Sequence, residues 1–568
     1  MSTIQEAKQQ VLTELKQAVG GGFSPSIDML EVPPDLSLGD VAFPCFVLAK
    51  KLQKNPQEIA VELAAKIGPK KFIGNIKAVG PYVNFSFTTP QFGDQVLEEI
   101  HKQADKYGTS DVGNGKRIMV EFANLNTHKD IHIGHLRNLF LGQMLVDVLR
   151  ANGYDVIPVA YINDLGAHVA KSVWGMMRFH EGEAVQKDKR IDFLREVYVE
   201  STEKSEEDPT FKLEISEVFR NLEDQKGKEV AIWKETRKWS IEFLERVYDE
   251  LGLTIETWYF ESQLIDKTKK IIEDLIKQGI VVESQGAWIV NLEDQDLGVN
   301  LLVKSDGTLL YNAKDLALAQ KKEEDYHPLK SIYVVDARQT HALQQLFATL
   351  ELMKFERDVQ HLSYEFVSLK EGAMASRKGN VIRYEDFRDV LIEEAKKETS
   401  TRHTDWKEKQ IEEVAQAVAF AGMRFGMLKQ DPEKKILFDF EEALSFDGFS
   451  GPYLLYTNAR IASLLKKAGK LKPTRSTKKL VSPIEHRLLV LLSQYPEEVF
   501  EIASTFHLSR MAQYLFELAK AFSSYYNDVQ ILQGEEEEMT QRLALLQAVQ
   551  QVLQNGLTLM GIEVVQEM

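Results

Sequence analysis

The 568-residue sequence has almost no cysteine and no long apolar run. A single cysteine, Cys45, excludes a disulfide framework and any zinc site built from several cysteines. A membrane-spanning helix needs about 20 consecutive apolar residues, which the sequence does not contain. The first residues, Met1 to Lys8, lack the charged-then-apolar pattern of a signal peptide. These absences predict a cytoplasmic protein without zinc and without a membrane partner.

The chain also lacks a positive net charge, since its formal net charge is -17 at pH 7. That charge argues against non-specific coating of nucleic acid. It does not exclude a nucleic-acid partner, because a local basic track on an acidic body is enough. No internal repeat is evident, and the length predicts two to four domains.

The most informative stretch of the sequence runs from Glu121 to Arg137. Residues 117–120 before it are predicted to form a short buried strand. After it, apolar residues recur at helical spacing up to a stop at Asn152-Gly153. The stretch is therefore a strand end, a polar loop and the first turn of a helix. Open α/β sheets bind nucleotides outside the carboxyl ends of their strands, where helix amides favour phosphate.

Three residues of this stretch, His132, Gly134 and His135, suit nucleotide chemistry. Two imidazoles can donate hydrogen bonds to phosphoryl oxygens and to the charge that develops on an attacked α-phosphate. A glycine between them lets a base or a ribose lie close to the backbone. The three residues alone also fit two surface histidines beside a helix start. The predicted strand and helix on either side favour an ATP-binding site.

His132-Ile-Gly-His135 resembles the HIGH signature of the class I aminoacyl-tRNA synthetases, which nucleotidylyltransferases share. With Glu121, Asn126 and the Leu-Arg pair that follows, the pattern resembles the arginyl-tRNA synthetases in particular, and the resemblance extends over nearly the full chain. It implies a ligase that activates L-arginine with MgATP to arginyl-adenylate. The arginyl group is then transferred to the 3′-terminal adenosine of tRNA(Arg). The resemblance also implies a monomer that needs bound tRNA for the first step.

The predicted fold is α/β, with a doubly wound parallel-sheet (Rossmann-type) catalytic domain between an N-terminal α+β domain and a C-terminal all-α helix bundle. Alternating strands and helices, followed by helices alone, place these domains at 1–112, 113–395 and 396–568. A charged helical insertion is expected at about 168–290. The later strands of the catalytic domain are predicted at 156–162, 258–260, 288–290, 301–303, 309–311, 332–335 and 364–369.

An arginine site needs carboxylates within reach of the guanidinium, because an unpaired buried cation is very costly. The resemblance assigns this role to Asp315 and Glu121, with Tyr311 packing beside the side chain. It also implies that Asn126 holds the α-amino group and that Gln339 faces the carboxylate end. Tyr311 and Asp315 are four residues apart where a strand is expected to give way to a helix, so they could share one face.

A second nucleotide loop is predicted at residues 371–380, which read Glu-Gly-Ala-Met-Ala-Ser-Arg-Lys-Gly-Asn. A loop with glycine and lysine at this place can close over the β- and γ-phosphates of ATP. It resembles the KMSKS signature of the class I synthetases. When Met374 is aligned, Ala373 and Ser376 stand in the places of both signature lysines. Met374, Ser376 and Lys378 are the predicted ATP contacts in this loop.

The missing lysines leave open which cation stabilises the leaving pyrophosphate. Arg377 and Lys378 are candidates within the loop. Lys129, just before the first histidine, is a third, and arginyl enzymes that lack the second signature lysine typically carry a lysine there. Together with His132 and His135, these cations are the predicted catalytic residues.

Candidate tRNA contacts lie in both terminal regions. The alternation in residues 82–87 predicts a half-buried strand whose other face carries Tyr82 and Asn84. By resemblance to the N-terminal domain of arginyl-tRNA synthetases, these two side chains face the D-loop. In the C-terminal helices, aromatic residues with interleaved polar ones suit unstacked anticodon bases, although at least half of the tyrosines are expected in the core. By resemblance, the candidates there are Tyr456, Arg460, Tyr525 and Met568.

Three alternatives share part of this pattern. Another class I synthetase is disfavoured because the cysteinyl and many methionyl enzymes hold zinc with cysteines that this chain lacks. A small-molecule nucleotidylyltransferase would not need the helical C-terminal region, and a tRNA gel shift separates it from a synthetase. A catalytically silent tRNA-binding relative fits the missing signature lysines, and a turnover assay decides that case.

Overall fold

The computed structural model describes residues 2–20, 22–33, 35, 37–370 and 382–568. Its N-terminal elements are α1 (Thr3–Val19), β1 (Val41–Pro44), α2 (Phe46–Leu52), α3 (Pro56–Lys66), β2 (Ile73–Val79), β3 (Tyr82–Phe87) and α4 (Asp94–Gln103). The strands form an antiparallel sheet in the order β1-β3-β2. The local sequence determines the start of helix α3, because the Asn55 side chain accepts the Gln57 N–H at 2.9 Å and Pro56 stands at the first helical position.

The central region alternates strands and helices up to β12 and then continues into a long helix. Its elements are β4 (Arg117–Glu121), α5 (Ile133–Ala151), β5 (Asp155–Ile162), α6 (Ala167–Phe179), α7 (Arg190–Glu207), α8 (Thr210–Glu223), α9 (Glu229–Glu250), β6 (Thr257–Phe260), α10 (Ile265–Lys277), β7 (Val282–Ser284), β8 (Ala287–Asn291), β9 (Val299–Val303), α11 (Tyr311–Tyr326), β10 (Lys330–Asp336), α12 (Thr340–Leu352), β11 (Asp358–Tyr364), β12 (Val367–Leu369) and α13 (Tyr384–Arg402).

Five of these strands form a parallel sheet in the order β11-β10-β4-β5-β6. The strand order reverses between β4 and β10, so the carboxyl ends of these two neighbours flank the crevice in which doubly wound sheets bind ligands. Helices α6 to α9 lie between β5 and β6. The antiparallel strands β7, β8 and β9 form a separate small sheet. The range 168–290 therefore contains β6, which pairs with β5 in the main sheet.

Two of the predicted strands differ from those observed. Residues 309–311 do not form a strand, because Leu309 makes a single bridge to Val303 and Tyr311 already begins α11. The predicted strand 364–369 is two strands in different sheets. Strand β11 ends at Tyr364 beside β10, and β12 pairs with a later strand, 436–438. The chain leaves the main sheet between them, where the Glu365 N–H donates to the Pro432 carbonyl oxygen at 2.8 Å.

Beyond residue 402 the chain is almost entirely helical. The elements are α14 (Glu408–Leu428), β13 (Ile436–Phe438), α15 (Phe440–Leu444), α16 (Gly451–Lys467), α17 (Pro483–Thr505), α18 (Ser509–Asp528) and α19 (Glu536–Leu559). Helix α17 starts at a capping box, because the Ser482 hydroxyl accepts the Glu485 N–H while the Glu485 carboxylate accepts the Ser482 N–H.

One continuous apolar cluster joins the N-terminal region, one face of the main sheet and the C-terminal helices. A second cluster covers the other sheet face with α6, α10, α11 and the small sheet. Cys45 is fully buried in the first cluster. Within the described ranges, every helix is too short or too polar to span a membrane.

Candidate active site

The loop after β4 ends at the histidine pair that begins α5. His132 is the N-cap residue, and its backbone N–H donates to Nδ1 of His135 at 3.2 Å. The two imidazole rings stack with their centroids 3.6 Å apart. A Cβ at Gly134 would lie 3.0 Å from the His132 ring, so the glycine leaves room for this stack. Helix α5 therefore presents both imidazoles at its N-terminus, where the helix dipole favours an anion.

Both histidines are held in their neutral form. Burial, followed by the charges of Arg338 and Lys129, lowers the pKa of His132. Burial, followed by His132 and Lys129, lowers the pKa of His135 to about 3. The Nδ1 atom of His132 is buried and has no hydrogen-bond partner among the described residues. Neutral imidazoles with an unused nitrogen can donate to a phosphate without the cost of burying a free cation.

Glu121 lies at the end of β4 and is only 3% exposed. The Lys322 ammonium, from α11, donates to Oε2 of this carboxylate. The Asn124 amide donates to Oε1 at 2.7 Å. Lys322 also lies 4.0 Å from the centroid of the Tyr333 ring on β10. Glu121 is thus fixed by two partners, and one of them, Lys322, is itself held against Tyr333.

Asp315 lies half-buried on the first turns of α11. Burial, and then the Glu121 and Glu261 carboxylates, raises the pKa of Asp315 to about 8. The two predicted guanidinium ligands are therefore close enough for the charge of one to act on the other. Among the described residues, Asp315 has no ion-pair or hydrogen-bond partner.

Three other carboxylates of this cluster are each paired with a cation. Lys322 pairs with Glu121, and Lys314 pairs with the buried Glu261. Arg237 Nε pairs with Asp164 Oδ2 at 2.5 Å, and Ser262 also donates to Asp164. Asp315 is the carboxylate left without a cation in the described part of this cluster. A cationic ligand would give Asp315 the kind of partner that the other three carboxylates already have.

Several polar atoms near this cluster are buried without a partner in the described ranges. They include the Tyr161 hydroxyl, Oδ1 of Asn163 and Nε2 of His168. Burial raises the pKa of Tyr161 well above its usual value, and Asp315, Glu261, Glu121 and Asp164 add to this effect. Buried polar groups without partners are rare in proteins and mark places where a ligand or water completes the hydrogen bonding.

The remaining predicted arginine contacts lie at the same edge of the sheet. Asn126 forms a parallel bridge with Asn163, so the ends of β4 and β5 stay together beyond the sheet. Tyr311 is the first residue of α11, is 57% exposed and precedes Asp315 by one helical turn. Gln339 is exposed in the turn that follows β10.

The sequence analysis did not identify Tyr161, Asp164, Glu261, Lys314 and Lys322. Tyr161, Asp164 and Glu261 stand at or just after the ends of strands, which is the signal that pointed to Asn126 and Gln339. Lys322 follows Asp315 by two turns of the same helix, so the spacing predicts that both lie on the same helix face. Its pairing with Glu121 was not readable, because 201 residues separate the two in the chain.

The predicted contacts in the second nucleotide loop, Met374, Ser376, Arg377 and Lys378, lie outside the described residues. The chain that follows this loop packs against the start of α5. The Ile133 N–H donates to the Ile382 carbonyl oxygen at 3.1 Å, and the Tyr384 N–H donates to that of Ile131 at 2.9 Å. His132 and Arg383 form an antiparallel bridge between these bonds. The exit of the second loop is therefore joined directly to the histidine signature.

Lys129 is exposed in the loop between β4 and α5. Its charge contributes to the lowered pKa values of His132, His135 and His168, so its ammonium lies near all three rings. Within the described ranges it has no ion-pair partner. It is a free cation at the mouth of the nucleotide site.

The two N-terminal tRNA candidates differ in accessibility. Tyr82 is half-buried and packs edge-to-face with the exposed Phe46, with ring centroids 5.9 Å apart. Asn84 is only 3% exposed, contrary to the open strand face predicted for it. The reason is that residues 37–40 cross over β3, where a Cβ at Gly39 would lie 3.3 Å from the Asn84 Cβ. The Asn84 Nδ2 atom has no partner among the described residues.

The C-terminal tRNA candidates also differ in how accessible their side chains are. The Arg460 guanidinium lies between the rings of Tyr456 and Tyr526, at 4.6 and 4.7 Å from their centroids, and donates to the Tyr456 hydroxyl. Met568 is half-buried against the helices. Tyr525 is fully buried, and its hydroxyl donates to Glu485 at 3.3 Å. Tyr525 is therefore a core residue, which corrects the prediction that it contacts tRNA.

A parallel sheet with this strand reversal, and a stacked histidine pair at the first helix beside the reversal, define the catalytic domain of a class I aminoacyl-tRNA synthetase. Residues 96–440 match the family model described as "tRNA synthetases class I (R), catalytic domain". Residues 5–87 match "Arginyl tRNA synthetase N terminal domain", and residues 454–568 match "DALR anticodon binding domain". The chain belongs to the arginyl-tRNA synthetase family, and its activity is that of an ATP-dependent arginine–tRNA ligase.

Named relatives agree over nearly the full length. The arginine–tRNA ligase of Clostridium botulinum (strain Langeland) is 36% identical over 545 residues, covering 95% of this chain and 96% of the relative. That of Bdellovibrio bacteriovorus is 35% identical over 574 residues, with 98% of each chain covered. The solved arginyl-tRNA synthetase of Thermus thermophilus superposes with a TM-score of 0.81 at 26% identity, covering 99% of this chain and 100% of that one. The predicted family, fold class and activity are confirmed.

Proposed function

We propose that Asp315 and Glu121 accept the guanidinium group of L-arginine. The observation that carries this proposal is the Asp315 carboxylate, which lacks a cation among the described residues while its neighbours are paired. An arginine side chain would supply the missing charge, and its planar group can donate two parallel hydrogen bonds to one carboxylate. Glu121, already held by Lys322 and Asn124, would contribute its charge and its remaining lone pairs.

The other proposed contacts orient the amino-acid end of the substrate. Tyr311, one turn before Asp315, packs beside the side chain. Asn126, at the end of β4, holds the α-amino group, and Gln339, at the end of β10, faces the carboxylate. The strand reversal between β4 and β10 supports this assignment, because it brings their carboxyl ends to one crevice.

In the first step the arginine carboxylate attacks the α-phosphate of ATP, and the bond to the leaving pyrophosphate breaks. The nucleotide rests on the turn at Gly134. Neutral His132 and His135 donate to the phosphate oxygens, and Lys129 offsets the charge of the pyrophosphate. The proposal also assigns Arg377 and Lys378 to charge stabilisation, and Met374, Ser376 and Lys378 to ATP contact.

Magnesium is proposed to arrive with ATP as part of the substrate. Within the described ranges, no group of three or more acidic, histidine or cysteine side chains is arranged to hold a metal ion. We propose that the substrate's own ion and the cations of the chain share the charge of the pyrophosphate.

In the second step the 2′-hydroxyl of the terminal adenosine of tRNA(Arg) takes the arginyl group. We place the tRNA elbow against Tyr82, beside which Asn84 is buried, and the anticodon against Tyr456, Arg460 and Met568. The exposed apolar residues Phe46 and Val47 beside Tyr82 support the first surface. The cation held between two aromatic rings supports the second. We propose domain limits of 1–112, 113–395 and 396–568, and a monomer that acts in the cytoplasm.

ATP–pyrophosphate exchange with each of the twenty amino acids, with and without tRNA, tests the assignment. Arginine-dependent exchange that needs tRNA is the expected result. The Asp315→Asn variant should lower kcat/KM for arginine about 100-fold, the equivalent of about 3 kcal/mol, because a buried cation loses its carboxylate. The matched control is Glu324→Gln, an exposed carboxylate on the same helix. Exchange driven by another amino acid, or an unchanged kcat/KM for arginine in the Asp315→Asn variant, would contradict the proposal.

A further inference from the structure

The residues on either side of Lys129 are each held by a different helix between β5 and β6. Asp130 is bound by Arg195 of α7, whose Nε lies 2.9 and 2.8 Å from the two carboxylate oxygens. His128 is bound by α9, where its backbone N–H donates to the Ser240 hydroxyl at 3.1 Å. Lys129 thus lies between two fixed neighbours while its own side chain stays exposed.

The contact on the His128 side is specific and buried. The Nε2 atom of His128 lies 2.8 Å from the Thr236 hydroxyl of α9, and its Nδ1 atom lies 3.0 Å from the Thr127 hydroxyl. His128 has φ +58°, a left-handed conformation that costs a residue with a Cβ on the order of 1 kcal/mol. Burial, with a contribution from His168, lowers the pKa of His128 to about 3, so the ring stays neutral. The hydroxyls of α9 hold the loop in a backbone conformation that it would not otherwise favour.

The contact on the Asp130 side reaches Arg383, in the described chain just after the second nucleotide loop. Arg195 also donates from Nη1 to Asp192 at 2.8 Å. That carboxylate lies 4.0 Å from Arg383, the residue that bridges to His132. Helix α7 therefore joins the loop that carries Lys129 to the chain that leaves the second loop.

We infer that Arg195 is a positioning residue for the activation step, which acts by holding Asp130 and thereby aiming Lys129 at the pyrophosphate. The inference rests on the role proposed above for Lys129. A lysine side chain has four rotatable carbon bonds, so its average position depends on where its backbone is held. The Arg195 Nε–H is shared by both carboxylate oxygens of Asp130, and this charged contact ties the backbone next to Lys129 to α7.

A double-mutant cycle tests this inference in the full-length enzyme with tRNA present. Lys129→Ala should lower kcat of arginine-dependent pyrophosphate exchange, and Arg195→Ala should lower it about tenfold with KM for arginine within twofold. In the Lys129→Ala background, Arg195→Ala should cause no further loss. Asp130→Asn removes the negative charge of the same ion pair and should reproduce the effect of Arg195→Ala on kcat. Arg195→Lys should recover part of the rate.

The control is Arg190→Ala on the same helix, whose side chain contacts Glu242 at 3.7 Å and the Trp239 ring at 4.9 Å. It should loosen α7 without lowering kcat. Equal losses of kcat in the Arg190 and Arg195 variants would overturn the positioning role of Arg195. Additive losses of kcat for Arg195→Ala and Lys129→Ala would do the same. Either result would leave the proposed role of Lys129 in place. An unchanged kcat in Lys129→Ala would overturn both this inference and the proposed role of Lys129, with arginine specificity untouched.

Discussion

Asp315 is the residue whose protonation decides whether the free enzyme can accept a cation. Burial and two neighbouring carboxylates hold its pKa at about 8, so at neutral pH the acid is mainly protonated in the free enzyme. The charged groups that reach it are Glu121 from β4, Glu261 after β6, and Lys314 and Lys322 on its own helix. A guanidinium group favours the carboxylate, so arginine binding should release a proton.

This release predicts a pH dependence with a definite sign. The value of kcat/KM for arginine should rise with pH below about 8, by at most tenfold per pH unit, and level off above it. In Asp315→Asn the rise should disappear, because no proton is left to release at that position. Steady-state exchange rates between pH 6.5 and 9 provide the measurement. A flat profile for the unchanged chain would rule out the protonated resting state.

At this scale the sequence predicted the two carboxylates proposed to bind the guanidinium group, but not the buried lysines around them. Glu121 and Asp315 stand at recognisable places, a strand end and a helix start. Lys322 and Lys314 appear in the sequence as ordinary helix-surface lysines. Only the packing of α11 against the sheet shows that both are buried, at 1% and 3% exposure.

Helix α11 is the element that contributes most to the proposed substrate pocket. It begins at Tyr311, carries Asp315 one turn later and delivers Lys322 to Glu121 two turns beyond. Breaking a buried ion pair by removing one partner leaves an uncompensated charge, which costs far more than the pair itself contributes. The helix is therefore tied to β4 by a contact that tolerates loss of both partners better than loss of one.

This asymmetry gives a stability prediction. Lys322→Met should destabilise the protein by about 3 kcal/mol, and adding Glu121→Gln should restore most of that loss. Lys321→Met, at the next position, breaks an exposed pair with Asp325 and should cost less than about 1 kcal/mol. Thermal unfolding midpoints of the four proteins make the comparison. A double variant no more stable than Lys322→Met would show that the methionine packs badly rather than that Glu121 is left unpaired.

Elements were predicted well where a regular pattern runs for many residues. Helix α5, which ends at Ala151 just before the predicted stop, and strand β5 are such cases. The errors fall where tertiary structure overrides a short apolar run. Leu309 to Tyr311 has strand-like composition, yet α11 starts there because the chain turns back toward the main sheet. Residues 364–369 form one apolar stretch, but the chain changes sheets within it.

In the whole molecule, the N-terminal region is fastened to the C-terminal helices. His486 of α17 contacts both carboxylate oxygens of Asp40 at 3.0 and 2.9 Å through Nε2, and the Thr89 hydroxyl through Nδ1 at 3.0 Å. Asp40 also accepts the Phe87 N–H at 2.6 Å and ends the crossing that covers Asn84. The surface proposed for the tRNA elbow is therefore held by the bundle proposed for the anticodon.

A substitution at this junction should act on tRNA and not on arginine. We expect His486→Ala to weaken tRNA binding about tenfold, because Asp40 loses a partner and the crossing over β3 loosens. The KM for arginine at saturating tRNA should stay within twofold. Filter binding and exchange kinetics measure the two quantities, with the exposed His507→Ala on the same bundle as control. Equal effects of both histidine variants on tRNA binding would exclude the junction as the cause.

At this scale the order of the three regions was predictable from the change in periodicity along the chain. The docking of the first region on the last was not. The contacts that make it join residues more than 380 positions apart, such as Asp94 with Thr477 and Asp40 with His486. No local pattern in the sequence encodes such a pairing.

The solitary thiol of Cys45 has a practical consequence. It is enclosed completely, and burial raises its pKa to about 11, so at neutral pH it presents neither access nor a thiolate to an alkylating dye. A fluorophore attached through maleimide chemistry to an engineered surface cysteine, for example at Val481, would therefore mark one site per molecule with the native thiol left in place. Fluorescence from such a conjugate could report the arrival of tRNA in real time.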